Sequence, residues 1–178
     1  RNFNFIIIDY RGYGLSNGKP TKENLLTDST IIFDWIEKYL TNHGYTGEIT
    51  IMGRSLGSAS VCNISESRSD KIHSTIIESG FSTEEFFCEI LNIEVKQYNQ
   101  DYGFRNLRKI SKYKKPLYII HADQDHIVPL ENGLNLYDKC PSKIKYLYIV
   151  KGANHNNILS VESERYFDNI KRFIDNVN

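Results

Sequence analysis

Unbroken apolar runs alternate along this chain with segments in which apolar residues recur every three or four positions. The first pattern suits parallel strands buried on both faces, the second amphipathic helices. Phe3-Asn4-Phe5-Ile6-Ile7-Ile8 opens the chain as a strand of this kind, and a glycine-rich loop follows from Asp9 to Pro20. Leu25, Leu26, Ile32, Phe33, Ile36, Tyr39 and Leu40 then keep helical spacing until His43-Gly44 ends it. Further strands are predicted at Glu48–Met52, Ile72–Glu78, Leu117–His121 and Ile144–Val150. Helices are predicted at Leu56–Ser65, around Leu130–Lys139 and at Val161–Val177, the last with Phe167, Ile170, Ile174 and Val177 on one face. Such alternation folds as right-handed βαβ units, so the expected class is an α/β fold with a doubly wound, mostly parallel sheet. Residues 1–178 read as one domain. The stretch 79–115 is too long for an ordinary connection, and a short cap inserted at about 80–115 is expected.

Composition narrows the function classes. Lys+Arg and Asp+Glu number 22 each, so no net field draws in nucleic acid or an acidic membrane. The basic cluster from Arg105 to Lys115 reads as a solvated helix face. Cys62, Cys88 and Cys140 lack C-x-x-C spacing, which argues against a disulfide framework or structural zinc. A reducing compartment, the cytoplasm, is therefore expected. No run reaches the roughly 18 apolar residues of a membrane-spanning helix. No signal peptide is evident, but the chain opens on Arg1 directly into a strand, without an initiator Met. An earlier segment, with any targeting or lipid anchor, is thus expected to lie outside this sequence.

Candidate chemistry centres on Gly53-Arg54-Ser55-Leu56-Gly57, a G-x-S-x-G motif between a predicted strand and a predicted helix. In a nucleophile elbow the backbone turns sharply there and lifts the serine into a strained, exposed position. Flanking glycines suit a turn with little room for Cβ atoms. A serine hydroxyl becomes a useful nucleophile when a histidine takes its proton and a carboxylate orients that histidine. His121-Ala122-Asp123-Gln124-Asp125-His126 leaves one later strand and offers Asp125; Gly152-Ala153-Asn154-His155-Asn156 leaves the next and offers His155. All three candidates fall at the carboxyl ends of strands, where open α/β sheets gather their active sites. The Leu56 N–H would face a developing oxyanion.

Other readings compete for some of these residues. Asp123 is a second possible acid. His121, Asp123, Asp125 and His126 superficially match a binuclear zinc motif, but its third position is altered and its other ligand segments are not evident. His121 reads better as a packed, hydrogen-bonded histidine, and His43 and His73 carry no assigned chemistry. Glu78-Ser79 suits either a pocket wall or a structural hydrogen bond. Tyr10 and Arg11 suit either site support from beneath or a tight structural loop.

The chain resembles α/β-hydrolases of the serine esterase and thioesterase kind. It is similar in particular to intracellular hydrolase-domain proteins related to protein depalmitoylases and to bud-emergence-type hydrolases. The matching pieces are Asp9-Tyr10-Arg11-Gly12-Tyr13-Gly14-Leu15-Ser16 with Gly18-Lys19-Pro20, the Gly53–Gly57 elbow, His121 through Pro129, Cys140-Pro141, and Gly152 through Asn156. On this resemblance Ser55 is the nucleophile, Asp125 rather than Asp123 the acid, and His155 the base. It also implies that the strand carrying Asp9 and the strand carrying Met52 are not neighbours. A strand from before Arg1 would separate them, and the loop after it would supply the second oxyanion donor.

The expected function is hydrolysis of an ester or thioester through an acyl-enzyme, with no cofactor and no metal. Tyr10, Arg54 and Phe81 are expected to line the substrate site. Phe81, Phe86, Phe87, Ile90, Leu91 and Ile93 suggest an acyl-chain groove, or else pack the cap on the sheet. Expected partners are a small-molecule or acyl-protein ester and no nucleic acid, with membrane association only through a segment not present here. The oligomeric state is not indicated. Two alternatives stay open: a binding or scaffold protein impaired by the missing oxyanion donor, and a serine peptidase of the same fold.

Overall fold

The computed structural model describes residues 3–85 and 103–177. Four parallel strands form one sheet in the order β1 (Thr50–Arg54), β2 (Ser74–Glu78), β3 (Leu117–Ala122) and β4 (Lys145–Val150). Between and around them lie α1 (Lys22–Asn42), α2 (Gly57–Ser67), α3 (Asn106–Ile110), α4 (Leu130–Lys139), α5 (Ile158–Glu162) and α6 (Glu164–Val177). Thr21 starts α1 by accepting the Asn24 N–H at 3.1 Å, and Gly44 leaves it in the left-handed region at φ +75°.

The two inner strands explain their apolar runs. Every residue of β2 and β3 is buried, and alternate side chains serve opposite faces. Ile77, Leu117 and Ile119 join Phe33, Val61, Cys62, Ile110 and Leu136 on one face. Ile76, Tyr118 and Ile120 join Val150, Ile158 and Phe173 on the other. Helices therefore cover both faces, as a doubly wound sheet requires. The third apolar cluster caps the carboxyl edge: Leu25, Ala59, Phe81 and Val128, with Tyr10, Leu26, Leu56 and Phe104 packed against them.

Several expectations need correction. The run Phe3–Ile8 is not a buried strand. It forms no ladder with a described residue, and Phe5 and Ile7 are 78% and 91% exposed. Apolar content gives a strand only where a neighbour supplies hydrogen bonds, and no described strand lies alongside this run. In keeping with what the resemblance implies, these residues do not pair with β1, whose one ladder partner among the described residues is β2. The strand predicted at Glu48–Met52 runs instead from Thr50 to Arg54, because Ile77 and Glu78 continue the ladder opposite Gly53 and Arg54. The closing helix is split at Ser163, whose φ is +52°. The basic cluster is not uniformly solvated: Lys109 on α3 is buried and its ammonium has no hydrogen-bond partner among the described residues. Burial lowers its pKa. Of the cap, residues 86–102 lie outside the described residues, and with them Phe86, Phe87, Ile90, Leu91 and Ile93.

Ile119 is fully enclosed in the larger cluster. Ile119→Ala should lower stability by roughly 2–5 kcal/mol, read from the urea midpoint at unchanged m-value, because the packed sheet cannot collapse into the space.

Candidate active site

Ser55 follows the last residue of β1 and sits at φ +51°, a left-handed conformation for a residue with a Cβ. Two backbone bonds hold it: its N–H donates to Glu78 O at 2.9 Å, and its carbonyl accepts from Ser58 N–H at 2.9 Å. The first elbow glycine is required by close approach, since a Cβ on Gly53 would fall 2.4 Å from Gly57 O. The second is not crowded in that way. A Cβ on Gly57 would meet the Tyr10 hydroxyl at an ordinary 3.6 Å. The N–H of Leu56 lies at the start of α2, where helix N–H groups are open and the helix dipole favours negative charge.

Asp125 lies in the turn after β3. One oxygen accepts the Ile127 and Val128 N–H groups at 3.0 and 2.8 Å, and the other faces His155 Nδ1 at 2.7 Å. Burial acts to raise its pKa, but the His155 contact and the two N–H donors outweigh that and hold it below the usual carboxylate value. His155 Nε2 lies 3.0 Å from Ser55 Oγ. The three side chains therefore form one chain of contacts. With Nδ1–H donating to Asp125, Nε2 is left to accept the serine proton.

The neighbouring residues of the acid turn serve other ends. Asp123 accepts the Gly152 N–H at 2.8 Å and so fixes the start of the His155 loop. Buried His121 donates from Nε2 to Val128 O at 2.9 Å, and burial lowers its pKa, which keeps it neutral. It braces, through the carbonyl, the same residue whose N–H reaches Asp125. These side chains point to different partners rather than to one centre, as a zinc site would need.

The expected substrate-site residues divide. Tyr10 and Phe81 share the apolar cluster that includes Leu56, beside Ser55, with Phe81 fully buried. Arg54 instead enters a polar network. Its Nε lies 3.1 Å from Glu78 Oε1, and its Nη2 donates to His155 O and to Asn156 Oδ1, the latter at 3.2 Å. Tyr166 on α6 donates its phenol to Glu78 Oε2. Burial and this contact raise the phenol's pKa. Arg11 pairs in two-pronged fashion with Asp28 at 2.9 and 2.7 Å, tying the glycine-rich loop to α1. The joining of Arg54 to Glu78 had a sequence signal: opposite charges close two strands that end in register. Tyr166 had none, being one polar-tipped residue on an amphipathic helix.

The family model described as the prolyl oligopeptidase family matches residues 1–177. The chain belongs to this family. It is 29% identical over 180 residues to alpha/beta hydrolase domain-containing protein 17C of Xenopus tropicalis, covering 97% of this chain and 53% of that protein. Against the human protein 17B it is 30% identical over 177 residues, covering 97% and 57%. The chain thus spans about half the length of the curated relatives it matches. Among solved structures it is similar to the Paleococcus ferrophilus monoacylglycerol lipase (TM-score 0.72, 20% identity, 96% of this chain and 82% of that one). An acylaminoacyl peptidase of Pyrococcus horikoshii gives TM-score 0.68 at 21% identity, over 90% of this chain and 30% of that one. The fold is that of the α/β-hydrolases. Among the described residues, no helix is long and apolar enough to cross a membrane.

The depressed pKa of Asp125 has a sign that can be tested. Its ionised form is favoured in the folded state, so its contribution is complete above the unfolded value near 4 and fades as pH falls through the lower folded value. Urea unfolding should show Asp125→Asn less stable than wild type from pH 8 to 5, with the gap narrowing below about pH 4.

Proposed function

We propose that this chain carries the catalytic serine, histidine and aspartate of a serine hydrolase that cleaves esters or thioesters. The observation that carries the reading is the continuous contact from Ser55 Oγ to His155 Nε2 and from His155 Nδ1 to Asp125 Oδ2, at 3.0 and 2.7 Å. Ser55 Oγ attacks the acyl carbonyl and His155 Nε2 takes the hydroxyl proton. The imidazolium is stabilised by Asp125, which stays ionised. The negative charge on the carbonyl oxygen is met by the Leu56 N–H at the start of α2. His155 then returns the proton to the departing alcohol or thiol, leaving Ser55 acylated. Water, deprotonated by the same nitrogen, attacks the acyl-enzyme, and His155 passes that proton to Ser55 Oγ as the acid leaves. No cofactor takes part.

Tyr10 and Leu56 would form the apolar wall against the acyl group, with buried Phe81 packed behind them. That supports a lipid-like or acyl-protein substrate. The family description favours a second reading, a serine peptidase, since amide and ester cleavage use the same three groups.

A fluorophosphonate probe should label the wild-type protein, and Ser55→Ala should abolish labelling. Hydrolysis of p-nitrophenyl esters should fall by roughly a ten-thousandfold or more in His155→Ala. Esters should be cleaved faster than aminoacyl-p-nitroanilides; the opposite order would favour the peptidase, and no labelling of the folded wild type would defeat both.

A further inference from the structure

The loop that carries His155 is held from two sides, and the second side has no part in the chemistry described so far. Upstream of the histidine, Gly152 N–H donates to Asp123 and Ala153 O accepts the Gln124 N–H at 3.0 Å. At and beyond the histidine, Arg54 Nη2 donates to the His155 carbonyl and to Asn156 Oδ1. Arg54 and Glu78 are register partners at the carboxyl ends of β1 and β2. The backbone carbonyl of Glu78 holds Ser55 in its left-handed turn, while its side chain holds Arg54. One residue therefore reaches the nucleophile through its main chain and the base through its partner's guanidinium. Tyr166, on α6, closes the network on the other carboxylate oxygen.

We propose that Arg54 and Glu78, backed by Tyr166, form a charge-neutral clamp that sets the His155 loop against the Ser55 elbow, making Arg54 a positioning residue for proton transfer. This inference rests on the triad reading above. The guanidinium suits the task because its flat fork serves the Glu78 carboxylate and the two loop acceptors at once, which a lysine ammonium cannot match. Neutrality matters as well. An uncompensated cation at the His155 carbonyl would oppose the positive charge that the imidazole gains when it takes the serine proton, and the buried Glu78 carboxylate cancels it. A displacement of about 1 Å between reacting groups is enough to cost roughly a hundredfold in rate.

The test compares wild type with Arg54→Gln, Glu78→Gln and the double variant, using p-nitrophenyl butyrate kinetics and amide hydrogen exchange. Arg54→Gln should lower kcat by roughly tenfold to a hundredfold with KM held within about threefold. Exchange should quicken in residues 152–157 and stay unchanged in Ile51–Gly53. Because both residues act through one clamp, the double variant should fall little below Arg54→Gln alone. Unchanged kcat and unchanged exchange in Arg54→Gln would overturn the clamp. A raised KM at constant kcat would overturn it too, and make Arg54 a substrate contact. If the wild type hydrolyses no ester, the hydrolase reading fails, and the exchange result alone then decides whether the clamp exists.

Discussion

The hydrogen bond from the Ser55 N–H to the Glu78 carbonyl is the contact on which the site depends. A left-handed conformation at a residue with a Cβ costs on the order of 1–3 kcal/mol, while one backbone hydrogen bond contributes about 1 kcal/mol net. That bond cannot hold the turn unaided. It works because it is the last rung of a parallel ladder that begins at Thr50 and Ser74, and because the first turn of α2 closes on the Ser55 carbonyl. The strain at the serine is thus carried by the register of two strands.

Asp125 and His155 are held by a different means. Neither lies on a regular element; each sits in a loop beyond a strand, where the backbone is free to reach across the carboxyl edge. Such loops stay fixed only if their polar groups find partners. Asp125 is placed by two N–H groups of its own turn, and that turn is braced from below by neutral His121. The histidine loop is tied by Asp123 on one side and by Arg54 on the other. Three titratable residues around Ser55, Asp125 and His155 therefore spend their hydrogen-bonding capacity on geometry.

Much of this was legible in the primary structure, for separable reasons. β2 and β3 are buried on both faces, so their apolar runs marked them to within a residue or two. The elbow, the Asp125 turn and the His155 loop were legible because short motifs fix backbone geometry locally. What escaped depends on neighbours distant along the chain. Phe3–Ile8 has the composition of an inner strand and yet pairs with no described residue. Arg54 and Phe81 looked alike as pocket residues, but one is bound to a carboxylate on the neighbouring strand and the other is sealed in the core. Tyr166 lies 88 positions from the glutamate it meets, a separation no local pattern encodes.

The outer side of β1 presents backbone donors and acceptors that no described strand takes up, with Met52 of the same strand 42% exposed and the uncovered apolar run 3–8 in the same chain. An open parallel edge of this kind is a template for any extended peptide, including a second copy of itself. Whatever seats a strand on that border protects the elbow's scaffold from the same self-recognition that builds fibrils.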